Sequence, residues 1–345
     1  MPSSAGAARD LVAAAGSELD PAGVRSSVIA PLQRLMGVGP VFVASADPST
    51  WLFTGATNVE VDSDATQRFF ANEFRTTDVV KFSDVAKARV PALSLFGATD
   101  GHPETSARWR DILEPLGWGD ELRVALRDRG GVWGFLCLHR EAADRPFVAG
   151  ELAALLAVLP DLTAAFRRAS LAAAADASGL DGPGVIVLNG GLVAEALTGS
   201  ASELLAELQE VDPGHALPVP IASIAAQVME TSSPQQLTMR TPAGRWITLH
   251  AGLLQGAEEA RVAVVIEPPS PAGMLSLFAS AVGLTKRETE VVGALLRGES
   301  NRLTARRLRV SELTLQTQLR SVFGKAGVHS RGELIARLLA GHHAG

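Results

Sequence analysis

"LTKRETEVVGALLRGESNRLTARRLRVSELTLQTQLRSVFGKAGVHSRGEL" occupies residues 284–334 and differs in charge from everything before it. From residue 284 onward eleven Lys or Arg face five Asp or Glu, whereas the preceding 283 residues hold 20 basic and 32 acidic side chains. The formal net charge of −6 therefore divides into +6 on the last segment and −12 on the rest. A local basic excess on an acidic chain is an electrostatic footprint for a polyanion, with a solvated helical face as the alternative.

The segment reads as four helices. Thr285 and Glu288 form a T-x-x-E capping box that starts a helix burying Val291, Val292, Leu295 and Leu296 and ending near Gly298. A second helix starts at Ser300, and "RVS" makes a tight link to a third that runs from the N-cap Ser311 to about Ala326. Ser330 and Glu333 form a further box for a fourth, carrying Leu334, Ile335, Leu338 and Leu339. Two helices joined by about three residues make a helix-turn-helix arrangement.

Within the third helix Leu315, Leu319 and Val322 fall at i, i+4 and i+7 and face inward. Leu313, Gln316, Thr317 and Arg320 are then left on the opposite face, where a major groove would meet them. Arg320 suits guanine, Gln316 suits adenine, and Leu313 or Thr317 can touch a thymine methyl. Arg302, Arg306, Arg307, Lys325 and Arg331 flank this face as phosphate contacts that set register but not sequence. The alternative is a four-helix packing module whose polar residues are merely solvated.

These residues resemble the LuxR-type helix-turn-helix: L-T-x-R-E-x-E-V from Leu284, then G-x-S-N, A-R-x-L, S-x-x-T, and K-x-G-V-x-S-R-x-E-L ending at Leu334. The resemblance implies a DNA-binding domain that acts as a dimer on a two-part site in double-stranded DNA. It also implies that the last helix, with Leu334, Ile335, Leu338 and Leu339, supplies contacts between protomers. Several positions depart from the pattern: Gln316 replaces a usual basic residue, Gln318 a histidine, and Leu303-Thr304 a Glu-Ile pair that leaves an apolar side chain where exposure is expected. Arg309 stands where Gly or Asn often makes the turn, which predicts an uncommon backbone angle there.

Two joints divide the rest. "SLAAAADASGLDGPG" (170–184) ends in helix-stopping Gly and Pro, and "EPPSPAG" (267–273) must be extended or turning. They predict a multi-domain chain with units at about 1–175, 184–268 and 274–345, the first two α+β and the last all-α. In the first unit "PVFVAS", "DELRVALRD" and "VWGFLCLHR" read as strands, the last two forming a hairpin across "RGG". "DATQRFFANEFR" reads as a short helix, and "FVAGELAALLAVLPDLTAAFRRA" as a long one kinked or divided at Pro160. In the second, "GVIVLN", "QQLTMR", "GRWITLHAGLL" and "ARVAVVIEP" are strands of a five-stranded sheet, with helices at "SASELLAEL" and "PIASIAAQVME". Residues 117–169 resemble the second half of GAF-type sensor domains of transcription regulators, and the second unit resembles a PAS domain in element order and length.

The function classes narrow accordingly. The single cysteine, Cys137, allows no intramolecular disulfide, no Cys/His set has zinc-ligand spacing, and no cofactor or metal is called for. The N-terminus has no signal-peptide pattern, and the apolar stretch "LAALLAVLP" is too short to span a bilayer, so a cytoplasmic protein without a membrane segment is expected. No nucleotide-binding loop, paired carboxylates or hydrolytic triad argues for an enzyme, and no strand ending in paired acidic residues argues for a phosphorelay receiver. Trp51, Phe53, Trp109, Trp118, Trp133 and Phe135 are candidate pocket residues for a small-molecule effector, with plain core as the alternative. His102 and His139 could ligate haem, with structural or surface histidines as the alternative, since no cofactor motif accompanies them. A front part that merely pairs protomers is the rival to a sensor.

Overall fold

The computed structural model describes residues 4–61, 63–171, 182–209, 217–256 and 259–339. The first unit opens with helices α1 (Ser4–Ser17) and α2 (Pro21–Met36), the latter N-capped by Asp20, whose carboxylate accepts the Gly23 N–H. Strands β1 (Val41–Ala46) and β2 (Phe53–Val59) follow, then α3 (Ser63–Arg75), α4 (Phe82–Lys87), β3 (Ala92–Ser94) and the single turn α5 (Leu95–Ala98). β4 (Trp118–Asp128), β5 (Gly131–Glu141) and α6 (Ala149–Leu171) complete it.

The five strands pair antiparallel in the order β2-β1-β5-β4-β3. Alternation gives the sheet two apolar faces. On one, Val41, Val43, Leu122, Val124, Leu136 and Leu138 pack under α1, α2 and α6. On the other, Ala44, Phe53, Ala125, Phe135 and Cys137 pack with Phe74 of α3 and with Phe82 and Val85 of α4.

α6 is one helix with Pro160 inside it, so the proline neither divides nor ends it. By length and composition this 23-residue helix could cross a membrane, unlike the nine-residue stretch considered from the sequence. It packs instead against α1, α2, β4 and β5, burying Leu155, Leu159, Leu162 and Phe166 in the sheet core.

The second unit comprises β6 (Gly184–Leu188), β7 (Ala194–Leu197), α7 (Gly199–Gln209), α8 (Val219–Thr231), β8 (Gln235–Arg240), β9 (Trp246–Leu253) and β10 (Val262–Glu267). Its strand order, β7-β6-β10-β9-β8, repeats that of the first sheet strand for strand. The sequence shows the meander β8-β9-β10 clearly but not β7, whose four residues are mostly exposed and carry no alternation. Residues 172–181, most of the first expected joint, lie outside the described residues.

The second expected joint is shorter than its prolines suggest. Ser270 caps α9 (Pro271–Val282), with Pro271 at the first helical position where its missing N–H costs nothing. The last unit follows as α10 (Lys286–Leu296), α11 (Asn301–Arg307), α12 (Glu312–Ala326) and α13 (Arg331–Leu339). Arg309, in the link between α11 and α12, has φ +54°, the left-handed angle expected there.

The units share cores. α8 packs on β2 and α3, so residues such as Ile221, Ile224 and Val228 are continuous with the first sheet's Phe53 face. The Phe53 N–H donates to Ser223 Oγ at 3.0 Å. α9 serves two cores: Leu277 packs with the first unit, and Leu275 with α10, α12 and α13.

Candidate nucleic-acid interface and cavity

The geometry of α12 follows its sequence pattern. Ser311 accepts the Thr314 N–H at 3.1 Å, and Gly327, at φ +61°, ends the helix in the left-handed conformation that glycine adopts without a Cβ clash. Leu315 and Val322 are fully buried and Leu319 nearly so, while Leu313 is 74% exposed and Gln316, Thr317 and Arg320 are exposed beside it. Leu303 is exposed at 52%, as its departure from the usual pattern anticipates.

The five expected phosphate contacts separate into two kinds. Arg302 and Arg306 are exposed on α11 and have no ion-pair partner among the described residues. The other three are engaged within the unit. Arg307 Nε donates to Glu299 at 3.0 Å, and Lys325 Nζ to Glu288 at 2.6 Å. Arg331 donates to the carbonyls of Leu295 and Glu299, each at 3.0 Å, closing the end of α10.

Glu288 does more than the capping box requires. It accepts the Thr285 N–H at 2.7 Å, then Ser321 Oγ at 2.7 Å and Lys325 Nζ from α12, so one carboxylate joins the start of α10 to α12. Burial alone would raise its pKa, but these donors outweigh it and hold the carboxyl at about 2. The expected box at α13 is looser: Ser330 accepts the Glu333 N–H, while Glu333 accepts the N–H of His329 rather than that of Ser330.

The expected dimer contacts require a correction. Leu334 and Leu338 are buried at 0% and 3% exposure in the unit's own core, because α13 lies across α9 and α10 and must fill the space between them. Ile335 is half-buried, and the Leu339 side chain lies outside the described residues.

The six candidate pocket aromatics do not form one pocket. A small cavity of about 50 Å³ opens on the β5 face, and of the six only Phe53 lines it, with Phe135 packed behind at 5.8 Å. Its apolar wall is Phe42, Phe53, Phe69, Phe70 and Phe82. Trp118 stacks on Phe69 and His139 nearby, with ring centroids 6.1 and 4.3 Å away. Trp133 lies on the opposite face. The pairing of β4 and β5 skips it, Leu126 opposing Gly134 and Arg127 opposing Val132, and this bulge turns the side chain under α6. Trp51, at φ +64°, and Trp109 are half-buried at the margin of the core.

The polar wall of the cavity is a buried charge network. Arg108 Nε donates to Glu121 Oε2 at 2.7 Å, and Arg123 Nη1 donates to Glu73 at 2.6 Å while its Nε lies 3.2 Å from Glu121. Burial pushes the Glu121 carboxyl up, but the two guanidinium groups outweigh it and hold it well below the usual range. Burial pushes Glu73 up despite Arg123 beside it, and pushes the Cys137 thiol well above its usual range with help from Glu121. Glu121 opposes His139, and Arg123 opposes Cys137, in the β4–β5 register, so all four side chains share the cavity face. His102, by contrast, is exposed and paired with Glu104 at 3.1 Å.

A helix-turn-helix unit with an exposed polar face on α12 thus follows two α+β units of one topology. Residues 282–338 match the family described as bacterial regulatory proteins, luxR family, and the C-terminal unit is a DNA-binding domain of that family. Over 54 residues the chain is 46% identical to the monoamine regulon transcriptional regulator of Klebsiella aerogenes, covering 16% of this chain and about a quarter (24%) of that protein. The GAF domain of an Acinetobacter phosphoenolpyruvate-protein phosphotransferase is 12% identical over 49% of this chain and 96% of its own, with a TM-score of 0.34. Escherichia coli SdiA is 11% identical over 97% of this chain and 95% of its own at 0.35, and the Vibrio cholerae VqmA dimer 17% over 46% and 83% at 0.22. With each TM-score below 0.5, these structural likenesses carry no weight beside the strand order itself.

Proposed function

We propose that the chain is a cytoplasmic, sequence-specific transcription regulator that binds double-stranded DNA as a homodimer, with front units that respond to a small-molecule effector. The observation that carries the DNA-binding reading is α12, which buries Leu315, Leu319 and Val322 while presenting Leu313, Gln316, Thr317 and Arg320. Side chains of these types at a helix N-terminal half fit base edges in the major groove, and the unpaired Arg302 and Arg306 fit phosphate. The first unit is GAF-like and the second PAS-like, the latter on its repeated strand order and length.

The effector reading rests on the cavity and on its connection outward. Phe53 lines the cavity, and its own N–H is held by Ser223 of α8, so displacement of this strand changes how the second unit sits on the first. The rival reading is a scaffold that only pairs protomers. Thermal stabilisation of the full chain by a small molecule separates the two, since binding to the folded state raises its stability.

The test is selection of full-length protein on random duplexes, with sequencing of retained DNA at two salt concentrations. An enriched two-part site establishes the regulator and gives the half-site spacing of a dimer. Salt-sensitive retention without enrichment, unchanged by removal of residues 1–270, overturns sequence-specific recognition.

A further inference from the structure

Three side chains at the polar end of the cavity bring potential metal-ligating atoms close together. Glu121 on β4 and His139 on β5 are directly opposed across the hairpin, and Cys137 lies two residues before His139 on the same face. Cys137 Sγ is 3.1 Å from Glu121 Oε1 and 3.4 Å from His139 Nε2, and His139 Nε2 is 3.4 Å from the same Glu121 oxygen. Three donors around one tetrahedral ion, with bonds of about 2.0–2.3 Å, lie roughly 3.3–3.5 Å apart, so this triangle needs only slight expansion.

The surroundings favour a cation despite two arginines. Arg108 and Arg123 spend their guanidinium groups on Glu121 Oε2, Glu73, Asn72 Oδ1 and backbone carbonyls, and Glu121 Oε1 remains turned to the thiol and imidazole. Arg108 also lies 3.9 Å from Asp78. Two guanidiniums therefore face the carboxylates of Glu73, Asp78 and Glu121, and a thiolate adds a further negative charge that a divalent ion cancels. The side chains of this network are 10% exposed or less, and an uncompensated charge there would be costly. His139 Nδ1 is buried without a hydrogen-bond partner, and the ring is oriented by stacking on Trp118 and Phe69.

We infer that Glu121, Cys137 and His139 form a site for one divalent transition-metal ion of borderline softness, such as Zn²⁺ or Fe²⁺, with an open position toward the phenylalanine-lined cavity. A mixed thiolate, imidazole and carboxylate set selects such ions over Mg²⁺ or Ca²⁺, which take oxygen ligands. Binding replaces the Cys137 S–H bond with a sulfur–metal bond and releases the proton to solvent. Cys137 and His139 line the cavity, so a small neutral donor molecule entering it can complete the coordination. This site stands apart from the DNA-binding reading, and its failure would leave that reading intact.

Cobalt gives the decisive experiment because Cys137 is the only cysteine in the chain. Full-length protein, stripped with chelator and reduced, is titrated with Co²⁺ while its absorption spectrum is recorded. A thiolate-to-cobalt charge-transfer band that saturates at one ion per chain and is displaced by Zn²⁺ is expected. Cys137→Ser should lose the band, and His139→Gln should keep it with altered ligand-field bands and at least tenfold weaker binding, circular dichroism reporting that each variant folds. Cobalt bound without a sulfur band, as on histidines elsewhere, overturns the site. So does the absence of any binding to the folded wild-type chain, whatever the variants do.

Discussion

The carboxylate of Asp47, at the end of β1, accepts the backbone N–H of Thr238 in β8 at 3.1 Å and thereby joins the two α+β units. Its other oxygen accepts the N–H groups of Ser49 and Thr50 at 2.8 and 3.1 Å. Burial pushes its pKa up, and these backbone donors only partly offset the effect. Asp47→Ala leaves three amides without their acceptor, and should cost about 2–4 kcal/mol. Calorimetry of the full chain should then show the first two units unfolding in separate transitions; one unchanged transition would remove Asp47 from the interface.

Glu288 predicts an acid limit for the DNA-binding unit. Its folded pKa, about 2, lies below the ordinary value of 4.5, so the stability it contributes is fully present above 4.5 and is lost as pH falls toward 2. Amide-exchange protection of α10 and α12 should fall over that window in the wild-type chain. Glu288→Gln should start lower at neutral pH and show a flatter acid dependence.

Arg320 and Arg306 should part company on DNA. Arg320→Ala is expected to cost about 1–3 kcal/mol on the selected site and to relax preference at one base position. Arg306→Ala should weaken every duplex alike and lower the salt slope by about one unit. Equal losses on specific and random DNA for the Arg320 variant would remove it from base reading.

Arg331 is expected to act in the fold rather than on phosphate. Arg331→Ala removes two charged hydrogen bonds, one to Leu295 in the last turn of α10 and one to Glu299 just beyond it, and should destabilise the unit by about 1–3 kcal/mol. At a temperature where the variant is fully folded, the salt slope of DNA binding should match wild type. A reduced slope would return Arg331 to the phosphate contacts.

Arg309 holds φ +54° without glycine, and its side chain is exposed. Arg309→Gly should raise stability by about 0.5–1 kcal/mol, the relief of left-handed strain exceeding the extra chain entropy. A loss of stability would mean that the side chain contributes more than the strain costs.

Local signals carried the C-terminal unit. Capping residues at Thr285, Ser300 and Ser311 act within one turn, and the spacing of Leu315, Leu319 and Val322 states which face is inward, so α10 to α12 and the exposed α12 face were legible residue by residue. Most strands were legible where they alternate, whereas β2, β3 and β7 were not: β3 and β7 are short, and β2 lacks strict alternation. Charge alone, however, does not say whether an arginine is free. Arg306 and Arg331 look alike in the sequence, and only the position of Arg331 over the end of α10 commits it to backbone carbonyls.

The long-range relations were decided by tertiary structure. Leu334 and Leu338 read as a seam for a partner until α9 and α10 are seen to need them as core. Trp133 and Phe135 read as one face until a bulge in the β4–β5 pairing separates them. Glu121 lies sixteen residues before Cys137, and their meeting depends on hairpin register rather than on spacing that a motif could display. The sequence by itself determined the helical DNA-binding unit and the two α+β patterns, because caps and periodicity act over a few residues. Which side chains meet across strands, and which helix belongs to two cores, depended on packing and register between segments distant in the chain.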